Sequence, residues 1–275
     1  ANETWGQGLY DSRSRGGQLA LDYLLPGGAV TLSYLKRTLT FPNYTDLLRE
    51  FQNAGNSAEV SGGLQDQKIS EIGISGYYKK LFGGLTSSVQ AYDNQKVVGA
   101  NGVYGADSQK DKTLGAHAGF TGKLWRFEAQ PRLAYSRLKS NQNFVRYKFF
   151  GATDPTNGDV TFIENNYSYK QYSLTLPFYF NLTRMGTALN FGYSITKRTY
   201  DARPPRNGDN SYDFSKKQSN LLNTVTLGLR KRLNEVAFMK LTYSTVVGSS
   251  NNKFEKYLPY NYTGTAIGMS FEVAY

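Results

Sequence analysis

The sequence contains no cysteine and a single histidine among its 275 residues. The lack of cysteine excludes disulfide bonds, thiol nucleophiles and zinc sites built from thiolates. The sequence also lacks long apolar runs, since a membrane-spanning helix needs about 20 consecutive apolar residues and none of that length occurs. A helical membrane protein is therefore excluded, in keeping with a mean hydropathy of −0.52.

The composition is rich in aromatic residues and glycine, and it is basic. Phe, Tyr and Trp make up 15% of the chain, and 28 glycines stand beside only 8 prolines. This combination is typical of many strands joined by turns, with aromatic side chains at membrane interfaces. The net charge of +11 predicts attraction to polyanions, which could be nucleic acid, lipopolysaccharide phosphates or acidic solutes.

Apolar and polar residues alternate over many short segments. In residues 18–25, Leu19, Leu21 and Tyr23 share one side of an extended chain, and Ala20 and Asp22 share the other. The period of two predicts β-strands that separate two environments. Strands are predicted over 18–25, 29–39, 69–80, 85–93, 113–120, 125–138, 169–180, 187–198, 220–230, 236–246 and 262–275.

Short and long connections alternate between these strands. Short turns are predicted at 26–28, 82–84, 121–124, 181–186 and 231–235, and longer polar connections at about 41–67, 94–111, 139–168, 199–219 and 248–261. This rhythm predicts one all-β domain over residues 1–275, a transmembrane antiparallel up-and-down β-barrel with short periplasmic turns and long extracellular loops. Eleven strands are clear, and an even number requires a twelfth, for which residues 4–10 are the candidate.

The first long connection, 41–67, is predicted to contain a short helix. Thr45 can cap it, and Leu47 and Phe51 lie on the same side at a spacing of four residues. This connection could constrict or plug the barrel interior, or it could lie on the surface as an ordinary loop.

The C-terminal residues 269–275 read Met-Ser-Phe-Glu-Val-Ala-Tyr, apolar at every second position back from a terminal aromatic residue. This segment resembles the C-terminal signal of bacterial outer-membrane β-barrels; the alternative is an edge strand of a soluble β-sandwich. The resemblance implies an outer-membrane location, a signal peptide removed before Ala1, recognition by the barrel-assembly machinery, and contact with lipid and lipopolysaccharide. A basic lumen within about twelve strands is also similar to the porins for acidic oligosaccharides.

The alternation assigns side chains to two faces. A lipid-facing belt is predicted from the apolar positions, which are Leu21, Tyr23, Leu32, Tyr34, Ile72, Ile74, Trp125, Phe127, Leu174, Leu176, Leu189, Phe191, Val225, Leu227, Leu241, Tyr243, Ile267 and Phe271. Because a charge facing lipid costs about 2–4 kcal/mol at the midplane, charged residues should face inward. The predicted pore-lining residues are Arg37, Lys79, Arg126, Glu128, Gln130, Arg132, Arg198, Arg230, Lys240 and Glu272.

Basic residues outnumber acidic ones on the predicted inner face. Two interpretations stay open: the arginines guide anions through a water-filled lumen, or they pair with Asp22, Glu128 and Glu272 and fill it. Basic loop clusters at Lys216-Lys217, Arg203–Arg206 and Lys253–Lys256 are predicted to contact lipopolysaccharide phosphates. Nucleic acid is not expected as a partner, since aromatic and basic residues map to different faces.

The sequence gives little support for a catalytic site or a bound cofactor. His117 could serve a catalytic site, but no serine lies in its local sequence, and packing inside the barrel is the alternative. Asp154, Asp159 and Asp209 could bind calcium or simply form turns. We therefore expect no enzyme and no cofactor.

Three functions stay open from the sequence. The first is a passive, anion-leaning channel for small solutes or oligosaccharides, the second a translocation barrel exporting a polymer or protein, and the third a structural or adhesive barrel. A periplasmic domain preceding the barrel would favour export. Monomer and trimer are both compatible with the sequence.

Overall fold

A computed structural model describes residues 11–42, 63–147, 160–182, 186–255 and 260–273. Most of these residues lie in β-strands, and no helix in this part is long and apolar enough to cross a membrane. The strands are β1 (Arg13–Leu25), β2 (Gly28–Thr40), β3 (Gln67–Tyr78), β4 (Leu81–Val98), β5 (Tyr104–Phe120), β6 (Gly122–Leu124), β7 (Phe127–Ala129), β8 (Arg132–Ser140), β9 (Phe144–Tyr147), β10 (Val160–Ile163), β11 (Tyr169–Leu182), β12 (Thr187–Tyr200), β13 (Ser219–Arg232), β14 (Ala237–Ser250) and β15 (Tyr262–Val273).

One antiparallel sheet contains nearly all of the strands. Its order is β1-β2-β3-β4-β5-β8-β11-β12-β13-β14-β15, with the short β6 and β7 beside this path, and β9 and β10 form a separate hairpin. Apart from β5–β8, β7–β11 and β8–β11, each ladder of this sheet joins strands that are consecutive along the chain, and all ladders are antiparallel. The prediction of an all-β, up-and-down antiparallel fold is confirmed. Within the described residues, β1 and β15 are the two edges and no ladder joins them.

The register gives the sheet two chemically distinct faces. Residues directly opposite in an antiparallel ladder lie on the same side, so the pairs Leu21↔Leu32, Leu32↔Ile74 and Ile74↔Leu85 form an apolar row. The rows between them are polar. One polar row consists of Asp22, Thr31, Ser75, Gly84 and His117.

Protein does not cover the apolar face. Leu21 is 71% exposed and Ile267 is 81% exposed, and the only buried hydrophobic residues in the described part are Val160, Ile163 and Tyr200. The buried side chains are mostly polar, and most of them lie where the long connections meet. They are Gln67, Gln109, Ser140, Gln142, Asn166, Ser168, Gln218 and Asn252.

The turn between β3 and β4 differs from the prediction. The turn lies at Lys79-Lys80, where Lys79 has a φ of 53° and its backbone N–H donates to Gly27 O at 2.7 Å. The predicted turn at 82–84 is wrong, since these residues lie inside β4. A Cβ at Gly84 would lie 2.9 Å from both His117 Cε1 and Ile74 O, so this glycine permits close approach of neighbouring strands.

The predicted strand 125–138 is divided in the structure. Trp125 and Arg126 form a turn between β6 and β7, and Trp125 has a φ of 54°. Both β7 and β8 pair with β11, and they are interrupted at Gln130-Pro131. Because Pro131 has no N–H to give to a ladder, the strand breaks there.

Two predicted long connections are also corrected. Extension of β4 and β5 reduces the connection 94–111 to residues 99–103, and the connection 139–168 contains the β9–β10 hairpin. The predicted helix, most of the connection 41–67 and the candidate strand 4–10 lie outside the described residues. We call the side of the sheet with the short turns at 26–27 and 79–80 the turn end, and the opposite side the loop end.

Candidate functional site: an arginine vestibule at the loop end

The register places most of the predicted pore-lining residues on the polar face. These are Arg37, Glu128, Arg132, Arg198, Arg230, Lys240 and Glu272. Lys79 and Arg126 lie in turns instead, and Gln130 lies at the break before β8, where its N–H donates to Pro177 O at 3.2 Å. The role of all ten in lining a pore stays a prediction.

At the turn end, one basic residue of the polar face, Arg230, has an acidic partner. Arg230 lies opposite Lys240, and its Nη2 lies 3.3 Å from Glu272 Oε2. The guanidinium carbon of Arg230 also lies 3.9 Å from the centre of the Phe238 ring. The ion pair supports the interpretation in which polar-face charges neutralise one another, and it does so at this end of the sheet.

At the loop end, Arg198 of β12 has a different environment. Its Nε and Nη2 donate to Gln171 Oε1 at 3.0 and 2.8 Å. Its guanidinium carbon lies 4.2 Å from the centre of the Tyr169 ring, a favourable cation–π distance. Both contacts orient the guanidinium without neutralising it.

Arg203, in the connection after β12, extends this environment. Its guanidinium carbon lies 4.0 Å from the centre of the Tyr200 ring and 5.3 Å from that of Tyr167. Its Nε donates to the backbone oxygen of Asn166 at 3.3 Å. Its partners are therefore also neutral.

Arg206 and Arg146 both lie beside the Tyr212 ring. Their guanidinium carbons lie 4.9 and 5.6 Å from the centre of the Tyr212 ring. Arg206 Nη1 donates to Asn210 Oδ1 at 3.2 Å, and Arg146 Nη1 donates to Asn210 O at 3.0 Å. We call Arg146, Arg198, Arg203 and Arg206 together the arginine vestibule.

A cavity of about 330 Å³ lies beside Arg203 and Arg206, and a second of about 270 Å³ lies beside Arg198. Tyr260 borders both. The first cavity is lined by cationic and aromatic groups together with buried amides, among them Arg203, Arg206, Tyr212, Gln218, Asn252 and Phe254. Its size is at the lower end of the range that small ligands occupy.

No arginine of the vestibule takes part in an ion pair with a described residue; the ion pairs in this part are Lys68–Asp93, Arg137–Asp201, Lys216–Asp213 and Arg230–Glu272. Nearby loop carboxylates have their own local partners. Hydrogen bonds from Ser211 lower the pKa of Asp209, and those from Ser215 and Lys216 lower the pKa of Asp213. The vestibule therefore attracts anions.

Buried amides hold the vestibule backbone in place. Asn252, only 2% exposed, accepts the N–H of Arg206 at its Oδ1 at 2.7 Å, and the N–H of Gln218 donates to Arg203 O at 2.8 Å. The Tyr212 hydroxyl is buried and has no hydrogen-bond partner among the described residues. The contacts of Asn252 and Gln218 fix the backbone around the cavity.

Sequence reasoning identified one vestibule residue, Arg198, as pore-lining. Arg203 and Arg206 entered only as part of a loop cluster for lipopolysaccharide, and Arg146 was missed. A signal exists in residues 198–212, where arginines and tyrosines are interleaved around Pro204-Pro205, but loop sequences have no period that assigns them to a face.

Among the described residues, the side chain of His117 contacts an aromatic ring. Its ring centre lies 6.5 Å from that of Phe82, and no serine or carboxylate among the described residues is hydrogen-bonded to it. The same part of the chain contains no group of three side chains able to hold a metal ion. Asp209 accepts hydrogen bonds from Ser211 in a turn, while Asp154 and Asp159 lie outside the described residues.

No protein-family model and no curated protein matches the chain. Solved structures with a similar backbone include OmpT, an outer-membrane protein of Vibrio cholerae (11% identity, TM-score 0.46, covering 93% of this chain and 64% of that one). Another is the β domain of the Bordetella autotransporter BrkA (12% identity, TM-score 0.39, covering 97% of this chain and 92% of that one). A third is the ferric-catecholate import receptor Fiu of E. coli K12 (10% identity, TM-score 0.47, covering 94% of this chain and 50% of that one).

These structural neighbours are outer-membrane β-barrel proteins, the class that the C-terminal segment resembles. The chain spans 64–65% of the length of the Vibrio cholerae chains. The identities are 10–12% and the TM-scores lie below 0.5.

Proposed function

We propose that this chain is an integral outer-membrane β-barrel that passes small anionic solutes, including acidic oligosaccharides, through its interior by passive diffusion. The observation that supports the membrane location is the uncovered apolar face. Water-soluble proteins rarely expose contiguous apolar patches beyond a few hundred Å², whereas this sheet exposes apolar rows across all its long strands. Lipid hydrocarbon is the environment that such a face requires.

Closure of the sheet into a barrel is part of this proposal. The path from β1 to β15 contains eleven strands that alternate in direction, so β1 and β15 run parallel to each other. Direct pairing would create one parallel ladder in an otherwise antiparallel barrel. A strand over residues 4–10 would run antiparallel to both edges and complete twelve strands.

The native absence of cysteine makes closure directly testable. Single cysteines placed in turn at positions 4 to 10 should form disulfides with a cysteine at Gly264 or Ala266 of β15 in the folded protein. Cysteines at the same N-terminal positions should not crosslink to a cysteine at Gly228 of β13. Crosslinks directly between β1 and β15 would contradict the twelve-strand closure.

Small side chains on the polar face support passage through the interior. The row Gly192, Thr226, Ser244 and Ala266 continues across four strands, and Gly84 and Ser75 lie in the row described above. Barrels of this strand number have a lumen whose width depends on inward side chains. Ser244 and Ala266 occupy less of the interior than larger side chains would, and the arginine vestibule adds positive charge at one entrance.

The test is single-channel conductance and ion selectivity of the purified protein in planar bilayers. Arg198→Gln/Arg203→Gln should reduce the preference for anions several-fold, because it removes two uncompensated charges from the entrance. Arg13→Gln/Arg15→Gln is the matched control, since these arginines occupy apolar-face positions near the same end. Equal selectivity of both variants would contradict the role of the vestibule, and a barrel that never conducts would favour an export conduit or an adhesive barrel instead.

A further inference from the structure

A second concentration of positive charge lies on the outer, apolar side of the sheet. In β5, Lys110 and Lys112 take the apolar-face positions, while Asp111 between them faces the polar side. The same face carries Arg137 and Lys139 of β8. Lys170 of β11 and Lys197 of β12 continue it, and we call these six residues the basic girdle.

The girdle brings like charges into direct opposition. Lys112 lies opposite Lys139, and Arg137 lies opposite Lys170. Directly opposite like charges destabilise a sheet, so this arrangement calls for an external anion. The one carboxylate paired with the girdle is Asp201, 3.8 Å from Arg137, and the five lysines have no ion-pair partner among the described residues.

The girdle has a fixed position relative to the apolar belt. Along β8, successive residues on this face are Leu133, Tyr135, Arg137 and Lys139, running from the middle of the sheet to the loop end. The ring of Tyr135 lies 5.1 Å from that of Tyr172 on β11. Apolar, aromatic and basic side chains therefore follow one another along β8. This is the order that suits the hydrocarbon core, the interface and the head-group layer of a membrane.

We infer that the basic girdle binds the phosphate groups of lipopolysaccharide in the outer leaflet. The inference rests on the membrane location proposed above and adds a specific lipid site to it. Ammonium and guanidinium groups are natural phosphate ligands. Their position on the lipid-facing side distinguishes lipid-linked phosphate from an anion passing through the interior. This site replaces the loop clusters as the proposed contact with lipopolysaccharide.

The experiment compares binding of two lipids to the folded protein in detergent micelles, namely bisphosphorylated lipid A and the same lipid with its phosphates removed. Lys112→Gln/Lys139→Gln/Lys170→Gln should weaken binding of the phosphorylated lipid by about 10- to 100-fold, since each basic group near an anionic lipid surface contributes substantially. Binding of the dephosphorylated lipid should change little.

The matched control is Lys216→Gln/Lys217→Gln/Lys253→Gln, which removes the same charge from exposed loop lysines and should bind like the wild type. Loss of binding in this loop variant, with the girdle variant unaffected, would overturn the inference. Equal affinity for both lipids would also overturn it, as would a change of oligomeric state in the girdle variant without a change in lipid affinity. Conductance and crosslinking report separately on the barrel, so failure of the lipid site and failure of the channel proposal are distinguishable.

Discussion

The two faces of this sheet are made by the same strands but require different surroundings. On the apolar face, Leu32 lies between Leu21 and Ile74, and all three are exposed. On the polar face, the neighbouring Ser33 lies between Ala20 and Gly73. The sheet therefore has no apolar core of its own between these faces, and its stability depends on what lies outside the apolar one.

Within the polar face, the arginines at the two ends of the sheet have different partners. Arg230 at the turn end pairs with Glu272, whereas Arg198 at the loop end is held by an amide and an aromatic ring. The same residue type thus fills space in a neutral pair at one end and presents its charge at the other. Counting basic residues along the sequence does not distinguish these cases.

The largest expected effect is a difference in the free energy of unfolding between substitutions on the two faces. Leu32→Arg should lower the free energy of unfolding in lipid bilayers by about 2–4 kcal/mol, because it places a charge against hydrocarbon. Ser33→Arg, one residue away on the polar face, should change it little. Urea titrations in lipid vesicles provide the measurement, and equal losses for the two variants would contradict the assignment of faces.

A smaller effect is expected where neighbouring strands approach closely on the polar face. Gly84→Ala should destabilise the protein by about 1–3 kcal/mol, because its Cβ would contact His117 and the backbone of Ile74. Gly17→Ala is the control, since nothing lies within 4 Å of its added Cβ. The same urea titration tests both, and a neutral Gly84→Ala would show that the strands can separate without cost.

The third prediction compares the two ends by selectivity rather than stability. Glu272→Gln leaves Arg230 without its acidic partner, so it should increase the preference for anions. The stability change should be within about 1 kcal/mol, as for other exposed ion pairs. Reversal potentials across a salt gradient measure the selectivity, and an unchanged anion preference would show that Glu272 lies outside the permeation path.

The smallest effect concerns pH at the loop end. Hydrogen bonds lower the pKa of Asp209 and Asp213 below 3.8, and those from Asn261 lower that of Glu255 below 4.5. A depressed folded-state pKa stabilises the loops above the unfolded pKa, and this stabilisation is lost as the pH falls through the folded value. Carboxyl titrations by NMR should show these lowered pKa values in the wild type. Ser215→Ala should raise the pKa of Asp213 and leave the pKa of Glu255 unchanged.

The sequence predicted the sheet well because the pleat imposes a period of two. Every member of the predicted lipid-facing belt except Trp125 lies on the apolar face of a strand, and the register joins them into continuous rows. Trp125 lies in a turn, as do Lys79 and Arg126. Alternation extends through tight turns without interruption, so it cannot locate where a strand ends.

The turn at Lys79-Lys80 was missed for a related reason. Gly83 and Gly84 look like turn residues, but Gly84 allows neighbouring strands to approach closely. The positive φ of the turn is adopted by Lys79 instead. The vestibule was missed because its residues meet through contacts between separate connections, such as Arg146 with Asn210. Those contacts depend on three-dimensional proximity that no local pattern encodes.

The sequential order of the ladders has a consequence for how the sheet forms. Every ladder in the described sheet joins strands that are close neighbours along the chain, so each pairing step closes only a modest stretch of polypeptide. Such local contacts are entropically cheap and favour fast assembly. Growth can proceed hairpin by hairpin, and in the proposed barrel the last contact to form would be the seam between the first and last strands, which lie far apart along the chain. The two edge strands are thus the segments exposed longest during assembly and the ones most in need of protection from pairing with another molecule.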